Sequence, residues 1–353
     1  MDDVEVVVVG AGQAGLSAAY FLGTRGFLPG EDHVVLDGNA AAGGAWRHRW
    51  PTLTMGAVHG LHDLPGLPLG DVDPEAPANE VVAAYFARYE RHFGLPVRRP
   101  VRVGEVHEAG DGRLLVQTDR GTMRTRALIN ATGTWTRPFW PRYPGMADFR
   151  GRQLHTADYA GPRGFAGQHV VVVGGGHSAI QHLAEISSVT STTWVTRREP
   201  QWRDEPFDTE AGRAAVAEVA EAVAAGRRPD SVVSVTGLVA TPPVLEARGR
   251  GALDRLPTFD RITADGVAWD DGRFIRADVI LWATGFRHAL DHLAPLDLRG
   301  RSGGIRMDGT HVAGDRRIHL LGYGPSASTI GANRAARAAV LDVRDFLGHV
   351  RAA

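Results

Sequence analysis

Three glycines, Gly10-x-Gly12-x-x-Gly15, follow the apolar run VEVVVV (4–9) and open the helical stretch LSAAYFLGTRG. In a strand–turn–helix of this kind the first glycine makes a tight turn and the second lets a pyrophosphate approach the backbone. The third lets helix and strand pack closely, and the helix N-terminus carries the anion. Asp37 closes the second strand, HVVLD (33–37), where a carboxylate accepts hydrogen bonds from ribose hydroxyls and repels a 2′-phosphate. The chemistry is that of FAD or NAD binding, with Gly10, Gly12, Gln13, Ala14, Gly15 and Asp37 as candidate contacts.

A second copy, Gly174-x-Gly176-x-x-Ala179, follows HVVVV (169–173), with His177 and Ser178 inside its turn. Its ribose position differs: the strand TTWVTRR (192–198) ends on Arg197 and Arg198, where the first unit has an acid. A guanidinium pairs bidentately with phosphate, so this unit is expected to take NADPH, with NADH left open. One acid-tailed and one arginine-tailed unit in a single chain make a relay from NADPH to FAD.

The elements that position these residues are two βαβ units. They predict an α/β fold of two Rossmann-like dinucleotide-binding domains of the three-layer ββα type, the NADP domain inserted in the FAD domain. The expected FAD domain is 1–150 with 286–353; the expected NADP domain is 151–285, with a helical insertion around 206–229. Residues 97–130 alternate as antiparallel strands (VRVGEVHE, RLLVQTD, MRTRALIN) and predict a meander. Each domain is expected to end on a strand running into Ala-Thr-Gly, at ALINATGTW (127–135) and VILWATGFR (279–287). The tail, IHLLGYG and a long helix, is expected to return to the first domain.

Composition removes other chemistries. The 353 residues include no Cys, which excludes disulfides, iron–sulfur clusters and thiol acceptors. No Lys occurs either, which excludes Schiff bases. The net charge of −1 gives no field for nucleic acid, and no apolar run suits a membrane span. The chain is expected to be cytoplasmic, with no nucleic-acid or membrane partner; a homodimer stays open. The 15 His are scattered, His59 and His62 included, and no metal is expected. Trp135, Trp140 and Trp202 suit either a pocket wall or the core.

Phe149-x-Gly151-x-x-x-His155-x-x-x-Tyr159 lies just ahead of the second unit and resembles the FxGxxxHxxx(Y/F) fingerprint of the flavin-containing monooxygenases, the class B flavoprotein monooxygenases. Gly43-Gly44-x-Trp46 and Ala283-Thr284-Gly285-Phe286 extend the resemblance over essentially the whole chain, and GGAW, HDLPG and LLGYG are most like the compact bacterial members. Baeyer–Villiger monooxygenases are similar but usually carry Trp where this chain has Tyr159. The resemblance adds candidate cofactor contacts at Gly44, Ala45, Trp46, Val103, Ala131, Thr132, Gly133, Thr284, Gly285 and Thr329. It implies FAD, NADPH and O2, a C4a-hydroperoxyflavin shielded by NADP⁺, and attack on its distal oxygen by sulfur or nitrogen of a small, uncharged substrate, with Baeyer–Villiger oxidation of a ketone left open. No side-chain nucleophile or general base is assigned. Many members carry Asn near LTMGAV, where this chain has Met55 or Gly56, a departure bearing on the lifetime of the oxygenated flavin. An NADPH oxidase or flavin reductase would share every binding motif, as would a non-catalytic redox sensor. Loops 48–70 and 200–230 are expected to shape the substrate pocket.

Overall fold

The computed structural model describes residues 2–58, 61–203, 209–229 and 237–349, the side chains of 209–216 excepted. His59 and residues 206–208 of the expected insertion lie outside the described residues.

Val-rich strands that bury both faces build a parallel sheet flanked on each side. β1 (Asp2–Val9) pairs in parallel with β2 (His33–Leu36) and with β6 (Gly121–Asn130), setting Val6 opposite His33 and Ala127. Val6 and Val8 face a helical layer, α1 (Gln13–Thr24), α2 (Ala78–His92) and the C-terminal helix Thr329–Leu347, through Leu16, Phe86 and Val340. Val7 and Val9 face the opposite layer, which contains Val106 and Val116 of β4 (Val103–Glu108) and β5 (Leu114–Thr118).

The meander starts later than the expected span. Val97–Arg98, β3, is a parallel strand beside β2, with Val97 opposite Val35, and the N–H of Asp37 extends that ladder to the Arg98 carbonyl at 3.0 Å. β6 joins three strands: its first half pairs antiparallel with β5, Met123–Asn130 runs parallel to β1, and its end runs parallel to Asp315–Leu320, which draws the meander onto the main sheet.

Residues 152–282 form the second sheet. β7 (Arg152–His155), β8 (Val170–Val173), β9 (Thr192–Thr196), a short strand Arg255–Pro257 and a last strand Val279–Trp282 lie in it, all pairing parallel. Val170 and Val172 bury against Ile180 and Leu183 of α3 (His177–Ile186). Val171 and Val173 bury against Ile262, Val267 and Trp269 of a three-stranded antiparallel layer. Each unit is thus sheet, antiparallel layer and helix, the three layers expected.

The insertion is a helix, α4 (Thr209–Ala224). β9 ends at Thr196, two residues short of the expected strand end, because the Thr196 hydroxyl donates to the Arg198 carbonyl (2.7 Å) and bends the chain, so Arg197 and Arg198 follow the strand instead of ending it. The chain then returns to the first sheet: Asp315–Leu320 pairs in parallel with β6, and the C-terminal helix packs Ala336 and Val343 against α1. The second Rossmann-like unit is therefore inserted within the first.

Candidate active site

The three glycines of the first turn divide the work among them. Gly10 has φ +99°, and a Cβ there would lie 2.5 Å from the Ala131 carbonyl oxygen; a Cβ on Gly15 would run into the Gly10 carbonyl. Those two positions are closed by packing. Gly12 has nothing within 4 Å of where its Cβ would be, so its backbone faces open space. α1 begins there with no side-chain cap and no acidic residue in its first turn, which leaves its N–H groups to an anion. This cradle fits a pyrophosphate.

The flanking candidates converge on it unequally. Gly44, at φ +52°, passes so close that a Cβ would lie 2.8 Å from the Gly12 Cα, and this brings Ala45 and Trp46 to the cradle. Ala14 packs against the first core, and Gln13 donates to Asn333 (2.9 Å) and to the His62 carbonyl (3.2 Å). The Gln13 Oε1 is buried with no partner. Thr329 opens the C-terminal helix and bonds His62 Nδ1 at 2.9 Å. Asn333, which also accepts from Ser17 (2.8 Å), was not marked by any motif. Thr132 donates to the Ala289 carbonyl (2.7 Å), and the Gly133 carbonyl accepts from Ala289 N–H (3.0 Å). Val103 lies on β4 and packs against the core beneath the meander.

Asp37 stands one residue past β2 and is buried. Its Oδ1 accepts from Asn39 N–H and Nδ2, and its Oδ2 from Arg99 Nε (3.3 Å) and Nη2 (3.1 Å). Arg99 in turn grips Glu90 with two bonds of 2.6 and 2.8 Å. The carboxylate is thereby fixed in orientation, its four acceptor sites met by two donors from Asn39 and two from Arg99, so a ribose hydroxyl would share or displace one of them.

The second cradle repeats the first. A Cβ on Gly174 would run into the Ala283 carbonyl, whereas Gly176 has nothing within 4 Å, and α3 starts there without a cap or a first-turn acid. His177 and Ser178 occupy the first turn and Ala179 is buried beneath it. Arg197 and Arg198 are exposed, and among the described residues neither pairs with a carboxylate. Arg255, on the strand beside β9, donates to the Thr196 hydroxyl (2.6 Å) and so joins this corner; only the sheet order reveals it.

The segment 46–58 joins the two units. Trp46 and Met55 each pack against the cores of both units. Glu185 of α3 accepts from Trp50 Nε1 (3.0 Å), the Thr52 hydroxyl (2.5 Å) and the Tyr159 hydroxyl (2.9 Å), which ties that segment to the second unit. Burial, and then Glu185, raises the Tyr159 pKa. His155 accepts from Ala157 N–H at Nδ1 (3.1 Å) and lies 3.0 Å from the Gly285 carbonyl at Nε2, while the Thr284 hydroxyl donates to the Phe139 carbonyl (2.5 Å). Burial lowers the pKa of His155 and pushes that of His182 down to about 3, so both are neutral. Trp135 stacks on Phe286 with ring centroids 4.9 Å apart, joining the ends of the two Ala-Thr-Gly phrases; Trp140 packs beside His155, and Trp202 against Trp194 of the second sheet. Met55 heads the turn Met55–Ala57, held by Gln181 Nε2 donating to the Ala57 carbonyl (3.1 Å). Among the described residues, no cluster of three His, Asp or Glu could hold a metal ion, and no helix is long and apolar enough to cross a membrane.

Two open glycine cradles, one in each unit, define a flavoprotein with paired dinucleotide sites. Residues 7–220 match the pyridine nucleotide-disulphide oxidoreductase family, and the chain belongs to that family and, within it, to the flavin monooxygenases. It is 40% identical to the flavin-containing monooxygenase from Stenotrophomonas maltophilia, whose structure superposes with a TM-score of 0.84 over 98% of this chain and 100% of that one. It is 30% identical over 318 residues to an indole-3-pyruvate monooxygenase of Oryza sativa subsp. japonica, spanning 80% of this chain and 76% of the relative. A Baeyer-Villiger monooxygenase of Streptomyces coelicolor is 30% identical over 209 residues, 57% of this chain and 39% of the relative. The protein is an FAD- and NADPH-dependent oxidoreductase with flavin monooxygenase activity.

Proposed function

We propose that the chain uses NADPH and O2 to oxygenate a small molecule at sulfur or nitrogen, with Baeyer–Villiger oxidation of a ketone as the neighbouring reaction of the same site. The overall balance is NADPH, a proton, O2 and substrate giving NADP⁺, water and the mono-oxygenated product. The observation that carries this reading is the pair of open cradles: both helix N-termini are uncapped, Gly12 and Gly176 face open space, and the histidines near the joining segment, His155 and His182, are neutral. In this reading the reacting ends of the two cofactors meet in a crevice between the units, beside the segment 46–58. Bound FAD supplies the two-electron relay and the activation of oxygen. In a site whose side chains provide neither nucleophile nor general base, the substrate itself is the nucleophile, which suits a thioether or an amine.

In this reading Gly10, Gly12, Gln13, Ala14, Gly15, Gly44, Ala45, Trp46, Ala131, Thr132, Gly133 and Thr329 hold FAD, with Asp37 on its ribose and Val103 in the neighbouring layer. Gly174, Gly176, His177, Ser178, Ala179, Thr284 and Gly285 hold NADPH, with Arg197 and Arg198 on the 2′-phosphate. Residues 1–150 and 286–353 make the FAD domain and 151–285 the NADP domain. Trp46, Trp135 and Phe286 exclude water from the crevice. A second reading, an NADPH oxidase, is favoured by Met55 and Gly56, which offer no amide where many relatives have Asn. The test is to mix NADPH-reduced protein with oxygen in a stopped-flow spectrometer. A transient spectrum distinct from oxidised and reduced flavin is expected; direct reoxidation without one supports the oxidase.

A further inference from the structure

One cation of the joining segment, Arg49, is used by neither proposed nucleotide site. The Arg49 guanidinium carbon lies 4.9 Å from the centroid of the Trp135 ring and 5.7 Å from that of Trp46. Among the described residues no carboxylate pairs with it. Burial lowers its pKa with no acid opposing the effect, although its surface is still partly exposed. The group is enclosed by neighbours yet reachable by solvent. Arg99 makes the contrast: similarly enclosed, it is gripped by both Asp37 and Glu90.

The place is as informative as the missing partner. Trp135 follows the first Ala-Thr-Gly and stacks on Phe286, which follows the second; Trp46 packs against both cores. Arg49 also depresses the pKa of His182 on α3, so its charge reaches across to the second unit. A guanidinium withdrawn from water without a partner costs free energy, which an anion arriving beside it would offset. In the reading above, the phosphates of both nucleotides already have helix N-termini, and NADPH has Arg197 and Arg198 as well. The anion left for the crevice is the substrate's own. Trp135 already stacks on Phe286, so the Trp46 ring and the edge of that stack are the apolar surface beside the guanidinium, which suits a flat apolar body.

We propose that Arg49 reads the carboxylate of an aromatic carboxylic acid, the two indole faces holding its fork in the plane of the acid while the aromatic body lies along the wall. This inference rests on the monooxygenase reading and narrows its substrate class. It also departs from the uncharged substrate that the resemblance implies, because it rests on one guanidinium of this chain that no carboxylate pairs with among the described residues.

The experiment compares a matched pair, thioanisole and 4-(methylthio)benzoate, as substrates of the FAD-loaded enzyme with NADPH. The acid should show a kcat/KM roughly 10- to 100-fold above the neutral sulfide, the range expected of charge-assisted bonds. Arg49→Met should bring that ratio close to one by lowering kcat/KM for the acid, with flavin content and the NADPH KM retained. Arg49→Lys should keep part of the preference, since it keeps charge and loses the planar fork. Equal use of both sulfides by the native enzyme overturns the proposal. So does an Arg49→Met enzyme with a raised NADPH KM and an unchanged ratio, which would give the cation to the coenzyme. If neither sulfide is oxygenated, the monooxygenase reading is what fails, and Arg49 is then judged by titrating the flavin absorbance with the same two compounds. Tighter binding of the acid in the native protein, lost in Arg49→Met, supports the assignment; equal affinities overturn it.

Discussion

His155 and Gly285 are joined by a hydrogen bond whose direction is fixed by a third group. Ala157 N–H donates to His155 Nδ1, so the ring proton sits on Nε2 and is donated to the Gly285 carbonyl at 3.0 Å. That carbonyl also accepts from Phe139 N–H at 2.9 Å. The fingerprint histidine therefore pins the start of the second unit to the end of its last strand, and burial keeps it neutral.

His155→Gln should retain FAD, lose roughly 1–3 kcal/mol of stability from the broken buried bond, and slow NADPH-driven flavin reduction. Its pH–rate profile should keep the native shape. An inflection present in the native enzyme and absent from the variant would instead make His155 a titrating acid or base.

The glycines of the first cradle should separate ligand from fold. Gly12→Val places a side chain in open space, so the protein should fold and purify without flavin. Gly15→Ala drives a Cβ into the Gly10 carbonyl and should destabilise the fold with or without added FAD. Flavin content by absorbance and melting temperature by circular dichroism check both outcomes. A Gly12→Val protein with stoichiometric flavin would refute the cradle assignment.

Removing both Arg197 and Arg198 should raise the NADPH KM by roughly 10- to 100-fold and leave that for NADH nearly unchanged, because only the former carries a 2′-phosphate to pair with. Equal use of NADPH and NADH by the native enzyme would show that both side chains serve solvent alone.

Buried histidines predict an acid limit to stability. Burial pushes His33, His288 and His292 down to about 4. Between about pH 6.5 and pH 4 the unfolded chain binds protons at these sites and the folded chain does not, so stability is full above the window and falls as the pH drops through it. Each group accounts for up to about 3 kcal/mol across that interval. Melting temperature should decline steeply from pH 6.5 to 4, and less steeply in His33→Leu, which removes one of these groups. A flat profile over that range would contradict the burial.

The parts of this architecture that local order determines were legible in the sequence. Each cradle is a strand, a glycine turn and a helix in succession, and the contacts that close it, Gly10 and Gly15 with Ala131 or with each other, require glycine by type. What sequence pattern could not supply is proximity across the chain. Glu185 meets Trp50 and Thr52 from more than a hundred residues away, Arg255 reaches Thr196 only through sheet order, and Arg99 finds Asp37 because β3 joins the parallel sheet instead of the meander. The expected span 97–130 counted Val97–Arg98 with the meander, although the alternating run VRVGEVHE begins only at Val101, and a two-residue strand carries no pattern that names its partner. Arg49 was invisible for the same reason: in a chain with 39 basic residues, all Arg, only its place between two indole rings sets it apart.

The central claim is that oxygen ends in the organic product. Thioanisole and 4-(methylthio)benzoate are supplied with NADPH to the FAD-loaded enzyme under ¹⁸O₂, and the products are analysed by mass spectrometry. The account predicts sulfoxide carrying one ¹⁸O atom, in an amount that follows the NADPH oxidised. Organic product without label, together with hydrogen peroxide equal to the NADPH consumed, would contradict it.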